Sequence, residues 1–415
     1  MANLKLNSLG ENIFDASKGQ DMVIKCNNGV TISRNDIVTT GRLLACEYIG
    51  TRLNAFDKEQ KYNSRLESKD YSTISKAHTD KLLLFCAAQA YRAVGKDIPE
   101  NIEAVRADAG LAKNSIFLAT LAAISRDVIQ PLMFKVFDDV SARGLMQWEA
   151  VPFGTTKQID IRSNDVILFE DSAWGSGRSA SYNNLYAKSI TLNPTMYTAQ
   201  VKMKWYQLAV NGDAGYWYAS IMNGLWNKIY ANFVQNLVTA VGNPKFVPAS
   251  LTATTYSTAN WLKLTTLVAA ANNVRRTDLV AFGSIEALSN ILPTDGTGGA
   301  ILGLQYGLGE EWFRRGFLPN VGGVQLIEIE PTIVPGTQNS TLDTISLGNN
   351  IYITAKAGLG YAPIYGGYYE GTPITLEMTP SETADFTIDL NIGATLDFKP
   401  VFGSKVGVIT DVVSA

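Results

Sequence analysis

The chain has 415 residues, of which 46% are hydrophobic and 18% are charged, and its formal net charge is −3. This is enough apolar material for the cores of two or three domains, and the hydrophobic content excludes a disordered chain. The near balance of charge excludes a strong overall attraction to nucleic acid or to an anionic membrane. No apolar run reaches the roughly 20 residues of a membrane-spanning helix, and we expect no membrane partner.

Cysteine and histidine usage argues against common catalytic sites. Cys26, Cys46 and Cys86 all lie in the first quarter of the chain, without a visible secretory signal, and we expect them to be reduced and structural. A Ser–His–Asp triad or a His-bearing zinc site would need the single histidine, His78. Its polar neighbours predict a solvated surface side chain. We therefore predict no catalytic residue, no metal site and no cofactor.

The first 110 residues carry 15 Lys/Arg and 14 Asp/Glu, a higher charge density than the remainder. Apolar spacing predicts helices over residues 34–49 and 75–94, so residues 1–110 form a separate, mainly helical domain. Residues 111–150 follow as an apolar connecting arm, in which Pro131 is expected to break any helix.

A long β-hairpin is predicted next. Alternation over Lys157–Arg162 puts Ile159 and Ile161 on one face, and a second alternating run, Tyr197–Tyr206, is the expected return strand. The Gly/Ser-rich segment 171–184 is the tip between them. An isolated two-stranded hairpin is marginally stable in water, so we expect it to pack on something else, such as a neighbouring subunit.

The strongest helix signal follows the hairpin. Asn211 or Asp213 can cap the helix, and Gly242-Asn243-Pro244 ends it. Between these signals, apolar residues recur at three- and four-residue spacing, as in a long amphipathic helix. They include Trp217, Leu225, Ile229 and Phe233.

From Trp261 onward the pattern is α+β. A helix over 262–274 leads to a buried strand over 278–283 and a helix over 284–292, followed by the Gly-rich loop Pro293–Gly299. Further strands are predicted over residues 324–330, 345–354, 372–378 and within 386–410.

Motifs for chemistry are weak. Gly175-Ser-Gly177-Arg-Ser-Ala180 matches a dinucleotide-binding fingerprint, but a strand follows it where that site needs a helix. The adjacent acids Asp138-Asp139 and Glu310-Glu311 point to different faces, which is typical of solvated surface. Asp295 has no second and third acidic ligand near it in sequence, so an ordinary turn is the better interpretation.

This order of parts, and the run Tyr197–Val241 in particular, resembles the HK97-fold major capsid proteins of tailed double-stranded DNA bacteriophages. The resemblance covers about residues 111–415 and implies an α+β, HK97-like capsid fold. Its parts would be an N-terminal arm (111–150), the E-loop hairpin (151–210), the spine helix with part of the peripheral domain (211–260), mainly the axial domain (261–380) and terminal strands returning to the peripheral domain (381–415). Residues 1–110 would be an extra, mainly helical N-terminal domain.

The resemblance implies a virion protein, made in the host cytoplasm, that assembles with itself through pentamers and hexamers into an icosahedral head. Portal, scaffold or cement proteins and non-specifically bound, packaged double-stranded DNA would be further partners. The E-loop tip would contact a neighbouring subunit through Trp174, Arg178 and Tyr182. The loop with Thr294, Asp295 and Thr297 would lie at the capsomer centre. Because the tip has no lysine, we expect no isopeptide crosslink from it.

Three other interpretations stay open. An encapsulin-like nanocompartment shell would share the fold but enclose enzyme cargo, and the additional residues 1–110 argue against it. An enzyme with an unrecognised site in the α+β region is the second alternative. A β-rich tail-tube or adhesin-type protein is the third, and the long amphipathic helix speaks against it.

Overall fold

The structure is a computed structural model with both helices and sheets. It describes residues 5–6, 23–25, 31–53, 68–96, 101–142, 146–162, 187–209, 212, 214–244, 246–292, 312, 314–334, 336–337, 339–356, 362–381, 386–401, 405–410 and 412. The described helices are α1 (Arg34–Leu53), α2 (Ser68–Val94), α3 (Ile102–Ala107), α4 (Ser115–Ala142), α5 (Trp205–Ala209), α6 (Ala214–Val241), α7 (Thr258–Ala271) and α8 (Ile285–Leu288).

The described strands fall mainly in three groups, before α1, between α4 and α5, and after α8. They are β1 (Lys5–Leu6), β2 (Val23–Lys25), β3 (Thr31–Ser33), β4 (Met146–Val151), β5 (Lys157–Arg162), β6 (Ala187–Leu192), β7 (Thr195–Lys204), β8 (Thr252–Ala253), β9 (Leu279–Gly283), β10 (Asn320–Val321), β11 (Val324–Glu328), β12 (Thr332–Ile333), β13 (Thr344–Ile345), β14 (Ile351–Ala355), β15 (Ile364–Tyr369), β16 (Ile374–Pro380), β17 (Thr387–Pro400) and β18 (Gly407–Ile409). Long helices together with mainly antiparallel sheets make the fold α+β, as predicted.

The chain divides into two compact units that cut across the segments predicted from the sequence. Unit 1 comprises residues 1–137, 196–226 and 371–395, and unit 2 comprises residues 138–195, 227–370 and 396–415. Residues 1–110 therefore cluster with much of the predicted arm, because α4 packs with the helices before it. The unit boundaries fall inside α4, β7, α6 and β17.

Unit 1 is built around α1, α2, α4 and the first half of α6. Their buried side chains include Leu44, Leu82, Phe117, Leu121 and Tyr218, each less than 2% exposed. The helix predicted over 34–49 is confirmed as α1, and the one predicted over 75–94 is confirmed within α2. In the same unit, β16 pairs with the first part of β17 in an antiparallel register from Ile374↔Ala394 to Pro380↔Ile388.

The prediction that Pro131 breaks the arm helix is wrong, because α4 runs through it from Ser115 to Ala142. Proline lacks an amide hydrogen, so the carbonyl four residues earlier, on Asp127, loses its helical donor. Arg42 of α1 replaces that donor: its Nε and Nη2 atoms lie 3.2 and 2.8 Å from the Asp127 carbonyl oxygen. A long-range side chain thus satisfies the group that proline leaves unpaired.

Among the described helices, α4 alone is long and apolar enough to cross a membrane by length and composition. The core helix of a soluble protein can have the same length and apolar composition. More than half of the apolar segment is buried, and Arg34 of α1 makes an ion pair with the Asp127 carboxylate near its middle. We interpret α4 as a core helix of unit 1.

Unit 2 is centred on a six-stranded sheet of order β10-β11-β9-β14-β18-β8. β9 and β14 are buried along their whole length. β9 is the buried strand predicted over 278–283. α7 covers the sheet with Trp261, Leu264 and Val268, and the Ser257 hydroxyl caps the amino end of α7. This is the helix predicted over 262–274, beginning four residues earlier.

Candidate functional site

The β-hairpin of unit 2 lies within residues 151–210, the range predicted for the E-loop. β5 and β6 pair antiparallel from Lys157↔Leu192 to Arg162↔Ala187, and residues 163–186 connect them. The prediction that 197–206 is the return strand is wrong: that stretch forms β7, which pairs with β17, and then α5. Alternation correctly identified a strand at 197–204, but alternation carries no information about which strand is its partner.

An apolar cluster anchors the base of the hairpin. Ile161 of β5 and Leu192 of β6 are buried against Val151, Tyr365 and Val401, and Ile159 packs at the edge of the cluster. The predicted common face of Ile159 and Ile161 is therefore the anchored face. The opposite face, with Gln158 and Asp160, is exposed.

Two adjacent glycines in β15 provide the surface on which this region packs. A Cβ atom on Gly366 would lie 2.4 Å from the Trp148 ring, and one on Gly367 would lie 3.3 Å from Leu192 Cβ. Trp148, on the parallel neighbour β4, also makes an edge contact with Phe398, with ring centroids 5.7 Å apart. Glycine at 366 is thus required for the tryptophan ring to lie this close to the strand.

Charged groups surround the start of β5. Lys157 Nζ lies 2.8 Å from Glu149 Oε2. The pKa of Tyr368 is raised first by burial and then by the nearby carboxylates of Glu370, Glu149 and Asp138. The lysine next to the hairpin base is therefore held in an ion pair within a locally acidic surface.

The predicted spine helix is confirmed as α6, 28 residues long, or about 42 Å at 1.5 Å per residue. Of the four residues singled out in it, Ile229 and Phe233 are buried, whereas Trp217 and Leu225 are half-buried. Within unit 2, Phe233 contacts Phe282 of β9, which stacks on Tyr352 of β14. The second half of the helix is therefore bound to the central sheet by aromatic side chains.

The amino end of α6 is capped by side chains from α2. The Ala214 amide donates to Thr79 Oγ1 at 3.1 Å, and the Gly215 amide donates to Ser75 Oγ at 3.4 Å. The first amides of a helix have no intrahelical acceptor, so these hydroxyls satisfy donors that would otherwise be buried unpaired. The predicted caps, Asn211 and Asp213, lie outside the described residues.

His78 corrects another prediction, because it is 3% exposed rather than solvated. Its ring makes an edge contact with Tyr218 of α6, and a methyl group on Gly41 of α1 would lie 3.3 Å from its Cε1 atom. Burial, and secondly Lys81, lowers the pKa of His78 from 6.5 to about 4. The imidazole is neutral near pH 7 and inaccessible to a substrate.

Cys86, by contrast, matches its prediction of a structural thiol. It is fully buried and unbonded, and burial raises the pKa of its thiol. No group of three His, Cys, Asp or Glu side chains that could hold a metal ion occurs in the described part of the chain.

The remaining predicted contact residues lie outside the described residues. These are the hairpin-tip residues Trp174, Arg178 and Tyr182 and the loop residues Thr294, Asp295 and Thr297, together with the glycine motif at 175–180. Sequence reasoning missed three features that the structure shows: the β5–β6 pairing, the Gly366-Gly367 packing surface and the capping of α6 by α2. Only the helical spacing of Ser75, Thr79 and Leu82 offered a signal, by placing both hydroxyls on the apolar face of α2.

The sequence matches no protein-family model and no curated protein. Several solved structures are similar to the chain. The head of a Helicobacter pylori bacteriophage has a TM-score of 0.42 at 10% identity, covering 65% of this chain and 88% of that one. A cyanophage capsid has 0.40 at 11%, covering 65% and 87%. An encapsulin complex from Synechococcus elongatus has 0.36 at 10%, covering 65% and 86%.

Proposed function

We propose that this chain is a structural subunit, not an enzyme, that self-assembles through pentamers and hexamers into the icosahedral head of a tailed bacteriophage. The head would enclose double-stranded DNA. The subunit would be part of the virion after synthesis in the host cytoplasm. Portal, scaffold or cement proteins would be its additional partners.

The anchored hairpin is the observation that carries this proposal. Its base is fixed by a buried apolar cluster that includes Ile161 and Leu192, so the β5–β6 pair has a defined direction. We propose that the contact with another copy lies in residues 163–186, which join the two strands. A closed shell needs such heterologous contacts, in which one surface of a subunit fits a different surface of its neighbour.

The long helix α6 supports the same role. A helix of 28 residues lies well above the average length in globular proteins. It is capped by α2 at its amino end and bound to the central sheet through Phe233 in its second half. This reinforcement suits a subunit that must keep its shape when mechanical load is shared across a shell.

Contacts with enclosed DNA would be electrostatic and independent of sequence. A net charge of −3 gives the whole chain no strong field for DNA, so such contacts would depend on local lysine and arginine groups. An encapsulin-like shell is the alternative. The two differ in what the shell encloses, which is DNA in a phage head and enzyme cargo in a nanocompartment. The second alternative, an enzyme, is disfavoured because the single histidine is buried and neutral.

The test is negative-stain electron microscopy with light scattering on the full-length protein, purified alone and from its native particle. Closed shells or pentamers and hexamers support the proposal, and nucleic acid inside native particles separates a phage head from a nanocompartment. A variant in which a Gly/Ser linker replaces residues 171–184 should keep its helical circular dichroism but lose closed shells. A matched control replaces the exposed turn 339–342 by the same kind of linker. A discrete monomer or dimer under all assembly conditions would refute the proposal.

A further inference from the structure

β7 is unusually exposed for a strand inside a folded unit. Of its ten residues, only Met203 is buried and only Tyr197 is half-buried. Met196 and Val201 are exposed apolar side chains, at 54% and 38%. Among the described strands β7 pairs only with β17, so its second edge has no strand partner there. A long exposed edge of this kind is a template for contact with another chain.

The carboxyl end of this strand is held firmly in unit 1. The Trp205 amide donates to the Phe386 carbonyl at 3.1 Å, and the Trp205 indole donates to the Arg106 carbonyl at 3.2 Å. The Trp205 ring also contacts Phe117. A fixed strand loses little conformational freedom when it is covered, which favours binding.

Two exposed cations also lie on this surface. Lys202 and Lys204 lie two residues apart on one face of β7, and the Tyr206 side chain that follows is 63% exposed. We name Met196, Lys202, Lys204 and Tyr206 the β7 strip. Lysine keeps an exposed strand from pairing indiscriminately, so a true partner must offer negative charge together with an apolar group.

Unit 2 carries a surface with these properties. Phe153 is 71% exposed, and its ring centroid lies 5.3 Å from that of Tyr369. The tight turn Pro152–Thr155 fixes its position: the Thr155 amide donates to the Pro152 carbonyl at 3.1 Å, and Gly154 has the positive φ of 74° that such a turn needs. An aromatic side chain on a rigid turn is a typical interface anchor.

Carboxylates lie at the same edge of the sheet: the Glu370 amide donates to the carbonyl of Val151, two residues before Phe153, at 2.8 Å. Asp138 and Glu370 are exposed, and both lie close enough to Tyr368 to raise its pKa. Glu149 is nearby but already paired with Lys157. We name Phe153, Tyr369, Asp138 and Glu370 the Phe153 patch. It offers an apolar anchor and two exposed carboxylates, where the β7 strip offers apolar side chains and two positive charges.

We infer that the Phe153 patch of one copy docks on the β7 strip of a second copy, forming a heterologous contact between subunits. The inference rests on the proposed function, because a shell supplies the neighbouring copy. It goes beyond the hairpin tip and the 293–299 loop by placing a subunit contact at two other surfaces. Opposite charges at its two faces would set which surfaces meet and speed their association at low salt.

Charge reversal on the full-length chain tests this inference. K202E/K204E and, separately, D138K/E370K should each lower the yield of shells at least about tenfold, because like charges then face each other. The four-substitution combination should restore assembly.

Arg92 and Lys96, both exposed on unit 1, provide a matched control, and R92E/K96E should assemble as the wild type does. Phe153→Ser should lower the yield without a charge change. Circular dichroism and thermal melting establish that each variant is folded.

The outcomes separate the two proposals. If the wild type forms no shells or capsomers, the proposed function fails. If the wild type assembles and K202E/K204E does so equally well, the docking inference is overturned. If both reversals abolish assembly but their combination does not restore it, each surface contacts something else, such as an accessory protein, and the pairing is again overturned.

Discussion

The interaction between Arg42 and the carbonyl of Asp127 gives a quantitative test of how α4 accommodates Pro131. We consider Arg42→Met, which keeps the length of the side chain but removes both donors. The Asp127 oxygen then loses contacts of 3.2 and 2.8 Å and has no helical donor to replace them. A hydrogen bond from a charged group contributes about 1.5–3 kcal/mol, so we expect a loss of about 2 kcal/mol in the free energy of unfolding.

A second substitution isolates the cause. In a Pro131→Ala background the new amide at position 131 can donate to the Asp127 carbonyl, so the helix no longer needs Arg42 at this point. R42M should then cost about 1 kcal/mol less than it does beside proline, which is a measurable coupling energy in a double-mutant cycle. Arg34 is the matched control, because it contacts the Asp127 carboxylate rather than the carbonyl. Arg34→Met should cost the same in both backgrounds.

The assay is urea unfolding of all variants, with hydrogen exchange of the α4 amides as a local measure of helix opening. Arg42→Met beside Pro131 should speed exchange around residues 127–131 more than elsewhere in the helix. Equal costs of R42M in the two backgrounds, within about 0.5 kcal/mol, would refute the reasoning. The continuity of α4 would then have to come from packing alone.

Three further predictions concern other contacts. The pKa of His78 is lower in the folded state than its unfolded value of 6.5, so protonation favours the unfolded state. The free energy of unfolding should therefore fall by up to about 3 kcal/mol as the pH drops from 6.5 to about 4. His78→Gln should flatten this pH dependence when the free energy is measured by urea unfolding across that window. Gly366→Ala should lower stability by about 1–3 kcal/mol, and more than Gly367→Ala does, because its Cβ would meet the Trp148 ring at 2.4 Å; paired thermal melts compare them. Thr79→Val should cost about 1 kcal/mol in urea unfolding through the lost α6 cap, and Thr79→Ser should not.

Local patterns predicted most of the helices because their signals lie within one stretch of sequence. The apolar spacing and the Gly242-Asn243-Pro244 stop placed the end of α6 at the observed residue, and the apolar spacing found α7. Pairing was harder, since the alternation in 197–204 fits any neighbouring strand. The choice of β6 as the partner of β5 depends on the apolar cluster around Tyr365 and Val401, more than 150 residues further along the chain.

The error at His78 has a related cause. Its sequence neighbours Lys76 and Lys81 are exposed and suggested a surface position, but they lie on a different side of α2. Helical spacing groups His78 with Ser75 and Leu82 instead, and all three are buried. That grouping was readable from the sequence. What could not be read was that α1, α4 and α6 cover this face, because these contacts join distant parts of the chain.

The capping of α6 bears on the role of the amino-terminal helices. Without α2, the amides of Ala214 and Gly215 would lose the acceptors on Thr79 and Ser75, and the buried ring of Tyr218 would lose its contact with His78. The capping of the amino end of α6 therefore depends on residues 75–82 being folded. If the chain builds a shell, α2 is part of the building subunit itself, and assembly should require it in place before subunits meet. If α2 were a separate domain that α6 did not need, α6 would keep all its capping contacts without it, whereas here two of them come from α2.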